Sequence, residues 1–381
     1  MWTAATLRRM SILNPLPERL LLGPGPSNAH PSVLEAMSRP LLGHLDPEFI
    51  ALLDRVKAGL RTVFGTANAM TLPISATGSA GMEAALVNLL EPGDPVVIGV
   101  NGVFGGRMAE VARRAGAEVT TVEAEWGTTL DATAMAEAIR RIQPRVVSFV
   151  HAETSTGVCQ PVEEISEAAR DAGAMVVLDC VTSLAGRPVE LDAWGIDAAY
   201  SGTQKCLSCP PGLSPVSFSD RAIDVVKARK TPVQSWFLDL SLLAGYYEGE
   251  KRVYHHTAPI TATYGLAAGL DRVLEEGLPA RYARHEAAAA RLVEGLDTLG
   301  FTPLVDEAHR LPMLTSVRLP ARVNELGEGA VRGRLLDEFG IEVGAGLGPL
   351  AGEIWRIGLM GENARPEPVD RLLEALRKIL A

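Results

Sequence analysis

Three short runs in this chain, PVVIGV at 95–100, RVVSFV at 145–150 and AMVVLDC at 174–180, are apolar at nearly every position rather than at every second one. A strand with one face in water alternates, whereas a strand covered on both faces does not. Strands of the second kind belong to a parallel sheet held between helices, because parallel neighbours need crossover connections. The sequence between them supplies such helices. From Gly81 to Leu90, the residues Met82, Ala85, Leu86, Leu89 and Leu90 fall on one stripe, and Pro92-Gly93 ends it. The expected class is α/β, with that stripe packed on a mostly parallel sheet.

A chain of 381 residues is too long for one ordinary core and suits two, at about 100–200 residues per domain. The pattern changes after about residue 275. ARYARHEAAAARLVEGLDTLG reads as one long helix, strands are expected around 313–318 and 354–359, and a last helix at 367–380. This divides the chain into an N-terminal arm (1–22), a large domain (23–275) and a smaller C-terminal α+β domain (276–381). No repeat of fixed period is present.

Several partner classes are disfavoured. A net charge of -10 is wrong for a nucleic-acid backbone, which is bound through Lys and Arg. No apolar run approaches the roughly 18 residues of a membrane-spanning helix. The first twenty residues lack a continuous apolar stretch, so no secretory leader is expected. Four cysteines, Cys159, Cys180, Cys206 and Cys209, are too few and too clustered to staple such a chain, which suits the cytoplasm. Cys206 and Cys209 form a C-x-x-C without a second pair or histidines at zinc spacing. His255-His256 resembles a metal pair, but neighbours in an extended strand face opposite ways. No metal is expected.

The chemistry concentrates at three places. Asp179 ends the buried run MVVL, at the strand edge where ligands bind in open α/β sheets. A carboxylate there can pair with a protonated pyridine nitrogen and keep that ring an electron sink. Lys205 follows the run DAAYSGTQ, one crossover later, and can emerge at the same sheet edge. An amine sheltered from water has a lowered pKa and can form a Schiff base. Upstream, Thr77-Gly78-Ser79-Ala80-Gly81 opens a helix whose free N–H groups and dipole suit a phosphate. Each feature alone is commonplace, but the order of phosphate loop, ring-nitrogen acid and Schiff-base lysine points to pyridoxal 5'-phosphate.

Eight further stretches carry a resemblance: LLGPGPSN at 21–28, EAALVNLLEPGD at 83–94, NGVFGGR at 101–107, ETSTGV at 153–158, LDCVTSLAG at 178–186, YSGTQKCLSCPPG at 200–212, YHHTAP at 254–259 and WRIGLMG at 355–361. Over nearly its whole length the chain resembles the class V, fold-type I aminotransferases of the alanine:glyoxylate and serine:glyoxylate (serine:pyruvate) kind. The resemblance implies Lys205 as the Schiff-base lysine and Asp179 as the partner of the ring nitrogen. It places Val181 under the ring and Phe104 stacked above it. Ser155 or Thr156 would bond the ring's phenolic oxygen, and Ser155 would also meet substrate. Gly78, Ser79, Ala80 and Gln204 would hold the phosphate. Tyr254 and Thr257 would reach it from the other subunit of a homodimer. Arg356 would grip the substrate carboxylate beside the Gly23-Pro24-Gly25-Pro26 loop, with Gly25 in contact. Ser79 and Phe104 depart from the animal enzymes, which carry His and Trp there; the Ser-Ala-Gly version of the loop resembles microbial members.

The implied reaction is ping-pong transamination from alanine or serine to glyoxylate or another small 2-oxo acid. Transaminases acting on ureidoglycine, pyridoxamine or an aminophosphonate share these motifs. Lyases of the cysteine desulfurase kind do not, because they place His before the lysine and a Cys in a late loop. Here Gln204 precedes Lys205, and no Cys follows Cys209. A non-catalytic paralogue would have no need to keep Lys205, Asp179 and Arg356 together.

Overall fold

The structure is a computed structural model that describes residues 16–249 and 251–381. The first fifteen residues, on which the expectation of no secretory leader rests, lie outside the described residues.

The apolar runs form the centre of a seven-stranded sheet. In spatial order its strands are Met70–Ile74, Ser214–Phe218, Ala198–Tyr200, Met175–Asp179, Val146–Val150, Pro95–Val100 and Glu118–Glu123. Ser214–Phe218 runs antiparallel to both its neighbours, and the other pairings are parallel. Val146–Val150 and Met175–Asp179 are buried at every residue, as strands without alternation require. One apolar layer gathers Val147, Phe149, Val176 and Leu178. The other gathers Val146, Val150, Met175 and Val177. Successive residues of each strand thus feed opposite faces.

The helix expected from Gly81 begins earlier and spans Gly78–Leu89. Its burial also exceeds one stripe, taking in Ala84, Val87 and Asn88 as well. The cause is its position, packed on the sheet and against the helix Val103–Arg114. It lies close to the sheet through Gly81, where a Cβ would stand 2.9 Å from Cβ of Tyr200.

The C-terminal part has its own sheet and its own core around Trp355, Ile357, Leu372 and Leu376. The long helical pattern resolves into Leu278–Asp297, preceded by Ile260–Glu276 and separated from it by Gly277 at φ 80°. Strands Leu314–Arg318 and Ile354–Gly358 and the helix Pro366–Leu380 lie within one residue of expectation at each end. The N-terminal segment belongs to this sheet too. Leu20–Leu22 pairs in parallel with Ile341–Val343 as the edge strand, because Leu20 and Leu22 bury their side chains in that core. The chain then crosses to the large domain through residues 23–27. Among the described residues no helix is long and apolar enough to cross a membrane.

Candidate active site

Strand order reverses at Pro95–Val100. The following strand lies on one side of it and the next, Val146–Val150, on the other. Loops leaving the two strands diverge, and the crevice beyond their carboxyl ends is where such sheets bind ligands. A cavity sits there, walled by Gly78, Ser79, Phe104, Thr154, Asp179, Val181, Gln204 and Lys205.

Asp179 ends its strand with 2% of its surface exposed. Its Oδ1 accepts the Val181 N–H at 2.9 Å and its Oδ2 the Tyr200 hydroxyl at 2.9 Å. Burial pushes its carboxyl up to about 7, against those hydrogen bonds and Lys205, which pull it down. A carboxylate so placed gains strongly from a cationic partner such as a protonated ring nitrogen.

Lys205 lies in the turn after Ala198–Tyr200, and its Nζ donates to the Pro24 carbonyl. Burial lowers its ammonium to about 8, with Arg356 acting the same way and Cys206 and Asp179 opposing. The backbone around it is tied down. The Ser27 hydroxyl donates to the Lys205 carbonyl at 2.8 Å, and Arg281 Nη2 donates to the Cys206 carbonyl at 2.6 Å. Gly25, at φ 105°, leaves room for the amine. A Cβ there would stand 2.6 Å from Nζ.

The phosphate loop opens the helix Gly78–Leu89 without a side-chain cap from Thr77, leaving N–H groups free for an anion. Gln204 faces it with a buried Oε1 that has no partner among the described residues. Turning that amide over, which preserves its shape, presents N–H donors instead. Arg107, exposed at the rim, brings Nη1 to 3.5 Å from the Ser79 hydroxyl and its guanidinium to 5.1 Å from the Phe104 ring centre. These donors fit a phosphate, and the Asp179 and Lys205 pair fits a pyridine aldehyde.

The remaining expected residues fall in three groups. Ala80 sits in the first helical turn, with its N–H already donated to Thr77. Ser155 and Thr156 are fully buried outside the cavity wall. The Ser155 hydroxyl donates to Glu153 at 2.6 Å and accepts the Val103 N–H at 2.9 Å. Thr154, which the motif reading passed over, lines the cavity in their place. Ala152 and Thr154 face the cavity while Glu153, which ends the short strand Ala152–Glu153, turns away, and Ser155 and Thr156 follow in a turn, where no sequence period marks which hydroxyl faces in. Arg356 comes from the C-terminal sheet, 7% exposed. It donates to the carbonyls of Ala345 at 2.7 Å and Thr154 at 3.2 Å, and no carboxylate pairs with it among the described residues. Tyr254, 58% exposed, and Thr257 lie on the surface outside the cavity. Between them, His255 and His256 do not face opposite ways as expected. The segment is irregular, and the two Nδ1 atoms meet at 2.9 Å.

Comparison with known proteins decides what this arrangement belongs to. Residues 20–357 match the family described as aminotransferase class-V. The chain belongs to the class V aminotransferases. Like them it depends on pyridoxal 5'-phosphate. Among solved structures, this class V aminotransferase is similar to alanine–glyoxylate aminotransferase from Nostoc sp., with 47% identity, TM-score 0.95 and complete coverage of both chains. It is 40% identical to the (S)-ureidoglycine–glyoxylate transaminase of Bacillus subtilis over 96% of this chain and 91% of that one. It is 42% identical to alanine–glyoxylate aminotransferase of Mus musculus over 96% and 88%. A cysteine desulfurase from Thermococcus onnurineus shares the fold alone, at 17% identity and TM-score 0.74.

Proposed function

We propose that this class V aminotransferase moves the amino group of a small amino acid, alanine or serine, to glyoxylate or another small 2-oxo acid. One observation carries the choice of acceptor. Relatives from Nostoc, mouse and Bacillus, 40–47% identical to the chain, all have glyoxylate in their names. The Arg356 guanidinium, which meets carbonyls but no carboxylate among the described residues, supports a carboxylate on either substrate.

Bound in the cavity, the cofactor supplies the electron sink for the pair left at the substrate Cα. The rest is done by the chain. Lys205 Nζ would hold the cofactor through its amine and would carry the proton at the substrate Cα. Asp179 keeps the ring nitrogen protonated. Phe104 and Val181 enclose the ring, and Gly78, Ser79, Ala80 and Gln204 bind the phosphate. Thr154 replaces Ser155 and Thr156 as the hydroxyl nearest the cofactor and substrate, because it lines the cavity. Arg356 and the loop at Gly25 orient the substrate carboxylate. Tyr254 and Thr257, exposed on the single chain, complete the phosphate site of a partner copy in a homodimer. The large and small domains divide near Gly277, where one long helix ends and the next begins. Four free, buried thiols support a reducing compartment, the cytoplasm.

The test is spectroscopic. The purified protein with pyridoxal phosphate should be yellow, and Lys205→Ala should abolish the visible band. Alanine or serine should bleach it in one turnover, and glyoxylate should restore it. Bleaching by ureidoglycine but by neither amino acid would move the reading to the ureidoglycine type. A protein that cannot be reconstituted would sink the enzyme reading altogether.

A further inference from the structure

Glu153 is a fully buried carboxylate that the reaction outlined above does not use. It follows Ala152 and precedes Thr154, both on the cavity wall, and by alternation its own side chain points the other way. There it meets the start of the helix Val103–Arg114. That helix has Gly102 at its N-cap and no side-chain cap of its own, so its first N–H groups need partners from elsewhere. Glu153 and Ser155 provide them. Oε2 of Glu153 accepts the Phe104 N–H at 3.0 Å and the Gly105 N–H at 3.4 Å, and the Ser155 hydroxyl accepts from Val103. Oε1 accepts both the N–H of Ser155 at 3.0 Å and its hydroxyl at 2.6 Å. Gly102 leaves room for this contact, since a Cβ would lie 2.5 Å from Cδ of Glu153.

We propose that Glu153 is a positioning residue for the cofactor. Supplied from the short strand Ala152–Glu153, about 50 residues along the chain, it caps the helix that begins at Val103 and thereby fixes the Phe104 ring over the cofactor plane. Both carboxylate oxygens are needed as acceptors, and each already serves two donors. The inference rests on the reading that Phe104 faces the cofactor. Glu153→Gln keeps shape and volume but turns one oxygen into an N–H2 group facing donors, which loosens the turn carrying Phe104.

The experiment is a double-mutant cycle on cofactor affinity. Cofactor-free wild type, Glu153→Gln, Phe104→Leu and the double variant are titrated with pyridoxal phosphate. The Kd is read from the visible band, and the asymmetry of the ring's surroundings from its circular dichroism. Loss of the stacked aromatic weakens binding by about three- to tenfold. Glu153→Gln should weaken it comparably and diminish the dichroic band, and the double variant should bind no worse than twofold below the weaker single one. Effects that multiply in the double variant, or wild-type affinity in Glu153→Gln, overturn the proposal and leave the reading of Phe104 standing. Wild-type affinity in Phe104→Leu overturns both. If Glu153→Gln does not fold by far-ultraviolet dichroism, Ser155→Ala replaces it. That variant removes one acceptor of the same cap and should show the same non-additivity with Phe104→Leu.

Discussion

Burial moves Lys205 and Asp179 in opposite directions, the amine down to about 8 and the carboxyl up to about 7. Each comes closer to its neutral form before cofactor arrives. Only the unprotonated amine attacks an aldehyde, so capture of pyridoxal phosphate by the cofactor-free enzyme should accelerate as pH rises through about 8 and then level off. Stopped-flow absorbance across pH 6.5–10 (a range chosen around the roughly 8 expected from burial) checks this, and a rate still climbing at the top would place the amine in water. Asp179→Ala should keep its fold and lose turnover steeply; near-normal turnover would refute its role at the ring nitrogen. Gly25→Ala should impair cofactor capture by crowding Nζ, with secondary structure unchanged. Lys205 and Asp179 were legible in the sequence because each ends a recognisable apolar run. Thr154 was not, because ETST offers three adjacent hydroxyls, and the turn at 154–157 that sends only the first of them into the cavity follows no period. The facing of His255 and His256 was misread because an extended strand was assumed where the backbone is irregular.

The loops that follow Asp179 and Lys205 are held by an element that looked merely amphipathic. Arg281, in the first turn of Leu278–Asp297 and 1% exposed, donates to the carbonyls of Ala185 at 3.1 Å and Cys206 at 2.6 Å and pairs with Glu276 at 2.7 Å. It therefore clamps the loops that follow both Asp179 and Lys205. Burial works to raise the Glu276 carboxyl, but hydrogen bonds from Arg284 and Arg281 hold it down at about 2. Arg281→Met should cost about 1–3 kcal/mol of stability at neutral pH, read as a denaturant midpoint, because buried carbonyls lose their donor. The wild-type advantage from Glu276 should persist above its ordinary value of 4.5 and fade as pH falls toward 2. An unchanged midpoint would mean the clamp is redundant. The helix itself was legible from its spacing. Its buried arginine was not, since a charged residue in an amphipathic pattern reads as surface.

On the scale of the whole molecule, the surface position of Tyr254 and Thr257 makes the expected homodimer testable without a second structure. Lys205→Ala and Tyr254→Ala, each inactive or impaired alone, should recover activity when unfolded together and refolded. A random mixture yields intact sites at about a quarter of the wild-type number. Recovery no greater than the sum of the separate parents would confine Tyr254 to its own subunit's affairs. The two strands and the last helix of the C-terminal part were legible in the pattern after residue 275. The membership of Leu20–Leu22 in the C-terminal sheet was not, because three apolar residues carry no period and their partner lies over 300 positions away.

That edge strand also sets an order of events during synthesis. Leu22 leaves the ribosome early, yet its partner Val343 is made 321 residues later (343 − 22), a wait of roughly 16–64 s at about 5–20 residues per second. Until then the segment through Pro24 and Gly25 is tethered at one end only, and the wall it forms against Lys205 is unfinished. A nascent chain can assemble the seven-stranded sheet while still being translated. It cannot close its lysine pocket before the message is nearly read through, so vitamin captured by a growing polypeptide would be held less tightly than by the released one.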